Sequence, residues 1–300
     1  MSTRFCNKVI GLCYSLLIAA SAFAQSDGTN AFVAVNMGPV INTAARDAEP
    51  TFSADGQTMY FNCFDRQGRV GSDICVTTRE GDGWSEPQIV EAVSSAEYLE
   101  VEPLLSPDGQ QLYIMSDRPG GEGGHDIWVS NLVNGQWSEP VNMGAPINSP
   151  EMDHCIYFAG ENWEIAYWTS TRPGGFGRDD IWTSTKVNGV WKEAVNLGSN
   201  INSTAREHHS LPSRDGQSLY VTSTRDNGYG NEDIFVSTKD AQGIWGPLHN
   251  LGPLVNTEAN DRCPAFSPDF ATFYFDSQRA GGFGSLDIWH VPYEAIVHIK

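Results

Sequence analysis

Positive charge is scarce in this chain: 18 lysines and arginines stand against 37 aspartates and glutamates in 300 residues, a formal net charge of −19. Such a surface repels phosphate instead of releasing counterions from it, which excludes nucleic acid and anionic lipid as partners. Long apolar runs are missing apart from Val9 to Ala24, so nothing beyond that segment can cross a bilayer as a helix. Helical periodicity is missing as well. Cysteine is sparse, and the four beyond residue 24, Cys63, Cys75, Cys155 and Cys263, match neither a zinc ribbon nor a C-x-x-C redox pair. No nucleophile elbow, Walker loop, dinucleotide fingerprint or H-E-x-x-H string is present. Glycine-rich runs such as Pro173 to Gly177 are followed by no helix whose dipole could hold phosphate, and they read as hairpin turns.

The N-terminus carries Arg4 and Lys8, then the apolar run, which closes on Ala22-Phe23-Ala24. That order is expected of a secretory signal cleaved after Ala24, leaving residues 25 to 300 as one domain in the periplasm or outside the cell. Cys13 follows Leu12 instead of a small residue, which argues against lipoprotein processing. In an oxidising compartment Cys63 and Cys75, on two arms of one predicted hairpin, either form a disulfide or stay as buried thiols.

A block of about 54 residues occurs five times, the signature of stacked supersecondary units. Each copy holds a hairpin arginine (Arg66, Arg118, Arg172, Arg225, Arg279) and an Asp-Ile pair beginning at Asp73, Asp126, Asp180, Asp233 and Asp287. Within a block, Glu102 to Gly109, Gln111 to Ser116, Asp126 to Ser130 and Trp137 to Gly144 read as four short strands separated by Gly, Pro, Asn and Asp turns. Radial stacking of four-stranded sheets makes a β-propeller. The fifth block stops short of its outer strand, while Val35 to Thr43 reproduces that strand and the link after it. The expected fold is therefore all-β, a five-bladed propeller whose last blade is completed by residues from about Ala31 to Gly38.

The strings Ser-Pro-Asp-Gly (106 to 109), Ser-Asp-Arg-Pro-Gly-Gly (116 to 121), Asp-Ile-Trp (126 to 128) and Trp-Ser-Glu-Pro-Val-Asn-Met-Gly (137 to 144) resemble the WD-type, TolB-like propeller repeats of bacterial envelope proteins. The resemblance runs over roughly residues 31 to 295. It implies a fold and leaves function open, since propellers host binding modules and enzymes alike.

What recurs in every blade reads as scaffold. The arginines and Asp-Ile carboxylates are expected to pair across their turn. Trp84, Trp137, Trp191 and Trp245 pack outer strands, and Asp55, Asp108 and Asp215 bond their own turns. A further acidic column, Asp47, Glu100, Glu151, Glu207 and Asp261, is expected to bond backbone donors between blades.

Two residues further along, on the same strand face, the blades disagree: Glu49, Glu102, Asp153, His209 and Cys263. Innermost strands border the central channel, so this column is the candidate site. Glu49, Glu102, Asp153 and His209 are the expected catalytic set if the protein is an enzyme. Cys263, with His154 and His208 beside the column, joins them as ligand-binding candidates. Such a set could split acid and base roles between carboxyls, hold a divalent cation in the channel, or hydrogen-bond a neutral ligand. Two functions follow. One is a periplasmic or secreted monomer that binds a small ligand, a glycan or an envelope protein at the channel mouth and top loops. The other is a carbohydrate hydrolase or lyase working from the channel carboxyls. The three extra residues in the first turn of blade three, with Glu161-Asn162-Trp163 near the tip, mark the most divergent loop.

Overall fold

Alternating apolar and polar residues between tight turns give each repeat one antiparallel sheet, and five such sheets form the ring of a five-bladed propeller. The computed structural model describes residues 32–298; the expected leader, residues 1–24, lies outside them. The innermost strands are Asp47–Phe52, Glu100–Leu105, Asp153–Ala159, Glu207–Pro212 and Asp261–Phe266. Each pairs outward with a second strand and then a third, as Glu100–Leu105 does with Gln111–Ser116 and Asp126–Val133. The outer strand of blade two is broken into Gln136–Trp137 and Val141–Asn142, both paired with the third strand. In blade five that place is filled by Val35–Asn36, which pairs antiparallel with Asp287–Pro292 and closes the ring. No helix among the described residues is long and apolar enough to cross a membrane.

Core residues lie between blades. Each of five apolar clusters joins two neighbours: Ile156, Phe158 and Trp168 of blade three, for example, pack on Tyr113 and Ile127 of blade two. Trp168 is fully buried there.

The scaffold carboxylates differ from expectation in two ways. The hairpin arginines do not pair with the Asp-Ile carboxylates of blades two to five. Asp126, Asp180, Asp233 and Asp287 instead accept from backbone N–H groups of the glycine-rich turn and from an outer-strand asparagine. The arginines reach past them to the acid that begins each innermost strand. Arg66 meets Asp47 at 3.3 Å, Arg118 Glu100 at 3.0 Å, Arg172 Asp153 at 2.6 Å, Arg225 Glu207 at 3.0 Å and Arg279 Asp261 at 2.8 Å. The other oxygen of each acid accepts a linker N–H, from Thr43, Ser95, Ser149, Ser203 and Thr257.

The second difference concerns blade three. Asp153, not Glu151, is its scaffold acid, and Glu151 is exposed. Asp153 is therefore not a channel residue. Its carboxylate is fully buried and occupied by Arg172, Trp168 Nε1 and Ser149. The channel position belongs to Cys155.

Candidate functional site

All five innermost strands break register at the same place, and the residue there holds a left-handed backbone: Glu49 (φ 61°), Glu102 (58°), Cys155 (52°), His209 (50°) and Cys263 (54°). None is glycine, so each carries a conformational cost of about 1–3 kcal/mol, which the surrounding sheet must impose. The bulge frees a backbone N–H from the ladder and turns the side chain to the axis. A side chain of the preceding blade accepts that N–H in four cases: Asp276 from Glu49 at 3.1 Å, Glu49 from Glu102 at 2.8 Å, Glu102 from Cys155 at 2.5 Å and Thr222 from Cys263 at 3.2 Å. Blade-to-blade bracing thus takes one oxygen of each channel glutamate and leaves the other facing the axis.

The axial groups form a continuous cluster. Around Glu102 Oε1 stand Cys155 Sγ at 3.0 Å, His154 Nδ1 at 3.3 Å and His209 Nε2 at 3.9 Å. His209 Nε2 lies 3.2 Å from Cys263 Sγ and 4.0 Å from Glu49 Oε1, which is also held by Arg46 at 2.8 Å. Behind His209, its Nδ1 meets His208 Nδ1 at 2.6 Å, and His208 Nε2 faces Glu232 Oε1 at 3.3 Å. The short Nδ1–Nδ1 contact requires one of the two rings to donate and the other to accept, while His209 Nε2 is directed at Cys263 and Glu49.

Burial makes these groups unlike their solution counterparts. Desolvation pushes Glu102 up, but His154 and the Cys155 thiol outweigh it and hold the carboxyl well below the usual range. Desolvation also lowers His208, and lowers His209 well below its ordinary value, so both are neutral. His154 is raised well above the ordinary value because the Glu102 and Asp179 carboxylates outweigh its burial. Both thiols are raised, first by burial and then by neighbouring carboxylates, so neither is a ready thiolate nucleophile. The one carboxyl of the cluster pushed up into the working range is Asp276, at about 8, through burial and the nearby charge of Glu49.

Asp276 gives the site a pH signature. Its folded-state proton is lost from the unfolded chain above about pH 4, so its contribution to stability is complete below that pH and disappears as pH climbs to about 8. His154, being raised, acts in the same direction above its ordinary value, whereas the lowered His208 and His209 matter only below theirs. The urea midpoint is therefore expected to fall between about pH 7 and about pH 9, and to fall less in Asp276→Asn. A midpoint that rises over that range would refute the assignment.

Above the cluster opens a cup of about 1010 Å³, rimmed by the turns that join first and second strands. Its wall is apolar and aromatic, with Phe52, Phe158, Trp163, Phe266 and Phe270, and its floor holds Glu49, Glu102, Cys155, His209 and Cys263. A smaller cavity of about 250 Å³ lies on the opposite side, lined by His154, His208, Asp179, Glu232 and four arginines. Glu49, Glu102 and His209 line both, so they stand at the waist between the two.

The structure thus brings together Glu49, Glu102, His209, Cys263, His154 and His208, at the channel's waist and not at its mouth, and removes Asp153. Cys155 was missed in the sequence reading. Regular spacing could have found it, since Glu49, Glu102, Cys155, His209 and Cys263 follow one another at 53 or 54 residues. Three donor sets could hold a metal ion: Glu49 with His209 and Cys263; Glu102 with His154 and Cys155; and Cys155 with His208 and His209.

No protein-family model and no curated protein sequence matches the chain. Among solved structures it is similar to TolB from Acinetobacter baumannii, at a TM-score of 0.52 and 14% identity over 83% of this chain and 54% of that one. A putative TolB from Agrobacterium tumefaciens gives 0.52 and 16% over 86% and 89%. An α-L-arabinofuranosidase from Podospora anserina, solved in complex with cellotriose, gives 0.53 and 12% over 87% and 96%. The chain spans about half the length of the Acinetobacter TolB. At such identities the likeness is one of fold alone, the β-propeller.

Proposed function

We propose that this propeller is an extracytoplasmic binding protein whose cup takes a small, hydroxyl-rich ligand, a glycan segment above all. The observation that carries the reading is the chemistry of the cup: an aromatic wall over a floor of carboxylate and imidazole acceptors. Aromatic faces pack the apolar faces of a sugar ring, while anionic oxygens accept from its hydroxyls. The acidity of the chain disfavours anionic ligands. Two features support a location outside the cytosol: the basic, apolar, small-residue order ending at Ala24, and the Cys63–Cys75 disulfide, a bond that persists in oxidising compartments.

Binding fits this floor better than hydrolysis does. A glycosidase needs one carboxyl raised to act as an acid while its partner stays ionised. Here Glu102 is held down instead, and the carboxyls raised into that range, Glu100 at about 7 and Asp276 at about 8, line neither cavity. The test is a panel of neutral oligosaccharides screened against the full chain, with affinities measured by calorimetry. Trp163→Ala, which removes part of the aromatic wall, is expected to weaken a binder roughly tenfold. A panel without a single binder, or a binder indifferent to Trp163→Ala, would sink the reading.

A further inference from the structure

Two of the acceptors on the cup's floor, Glu49 and His209, also stand with Cys263 as a donor set for a metal ion. The geometry points to a zinc-class divalent ion bound by Glu49 Oε1, His209 Nε2 and Cys263 Sγ, with its fourth position open to the cup. A tetrahedral ion with bonds of about 2.0–2.3 Å holds its donor atoms roughly 3.3–3.6 Å apart. In this triad the separations are 3.2 Å from sulfur to nitrogen, 3.8 Å from sulfur to oxygen and 4.0 Å from nitrogen to oxygen, which bracket that span. The three groups come from blades five, four and one, all are buried, and all border the cup.

Protonation and charge agree with the assignment. His209 Nδ1 is engaged by His208 Nδ1 at 2.6 Å, which leaves Nε2 as the ring nitrogen facing the other two donors; a ligating histidine commonly has such a partner behind it. Arg46 and the backbone N–H of Glu102 hold the Glu49 carboxylate, and an oxygen keeps a second lone pair beside a hydrogen bond. One carboxylate, one thiolate and one neutral imidazole balance the two charges of the ion. The sulfur and nitrogen donors favour zinc over calcium or magnesium.

The other two sets are poorer. In the set of Glu102, His154 and Cys155 the separations are 2.9, 3.0 and 3.3 Å, at or below the shortest span of roughly 3.3 Å for a tetrahedral ion, so its donors would have to part to admit one. In the set with Cys155, the two histidines spend their Nδ1 atoms on each other.

This inference stands apart from the glycan reading, since the ion can bind whether or not any saccharide does. It is tested with cobalt as a spectroscopic stand-in on the full chain. One equivalent is expected to give a sulfur-to-cobalt charge-transfer band, which exposed carboxylates cannot produce. Cys263→Ser is expected to abolish the band and Cys155→Ser to keep it. Should Cys263→Ser fail to fold, the unaltered chain still decides: zinc uptake in weakly buffered solution is expected to release one proton per ion, from the Cys263 thiol. Absence of the band from the unaltered chain, its survival in Cys263→Ser, its loss in Cys155→Ser, or zinc uptake without proton release would each overturn the assignment.

Discussion

Asp153→Ala is expected to lower the unfolding free energy by about 3–5 kcal/mol, the cost of stranding one partner of a buried ion pair. The residue is fully buried and Arg172 is nearly so, with 2.6 Å between them. Removal of the carboxylate strands more than a charge. Trp168 Nε1 and the backbone N–H of Ser149 also lose their acceptor, while Arg172 keeps only its bonds to the Pro146 and Ile147 carbonyls and to Ser170. Denaturant unfolding followed by tryptophan fluorescence measures the loss. A change below about 1 kcal/mol, the scale of an exposed pair, would mean that Asp153 faces water in the channel after all.

The second large effect is expected in blade one, from the double variant Cys63→Ala and Cys75→Ala. Blades two to five place a serine where Cys63 stands (Ser116, Ser170, Ser223, Ser277) and an aromatic where Cys75 stands (Trp128, Trp182, Phe235, Trp289). In those blades the hairpin arginine lies over that aromatic ring. Blade one has neither, and Arg66 turns to Phe61 instead. The disulfide, closing a loop with a sequence separation of 12, is thus the substitute tie between second and third strands. Its loss is expected to cost about 3 kcal/mol, most of it through the unfolded state. A reductant should lower the melting temperature of the unaltered chain and leave that of the double variant unchanged. Equal sensitivity in both would refute the role.

The fold was legible because its determinants are local and repeated. Turn residues and period-two strands recur five times, and Val35 to Thr43 spells out the missing outer strand. Long-range choices between chemically equivalent partners were not legible. Nothing local tells Arg172 to pass over Asp180 and reach Asp153; that depends on the turn N–H groups of Phe176 and Gly177 having already claimed Asp180. The column slipped in blade three for a related reason. Glu151 looks like the scaffold acid, and only the bulge at Cys155 shows which residue the sheet turns inward. Six of the channel groups were named from sequence. Their arrangement was not, because a strand that alternates strictly would have put His154 and His208 away from the axis.

Ring closure by Val35–Asn36 ties the two ends of the described chain together. Asn36 bonds Asp287 across 251 residues of sequence, and the buried Asn42 bonds Ile288 across 246. Bringing such distant segments together costs on the order of 5 kcal/mol in chain entropy. The first strand of the described chain thus acts as an intramolecular clasp on the last hairpin, adding to the packing of blade five on blade one that also closes the ring.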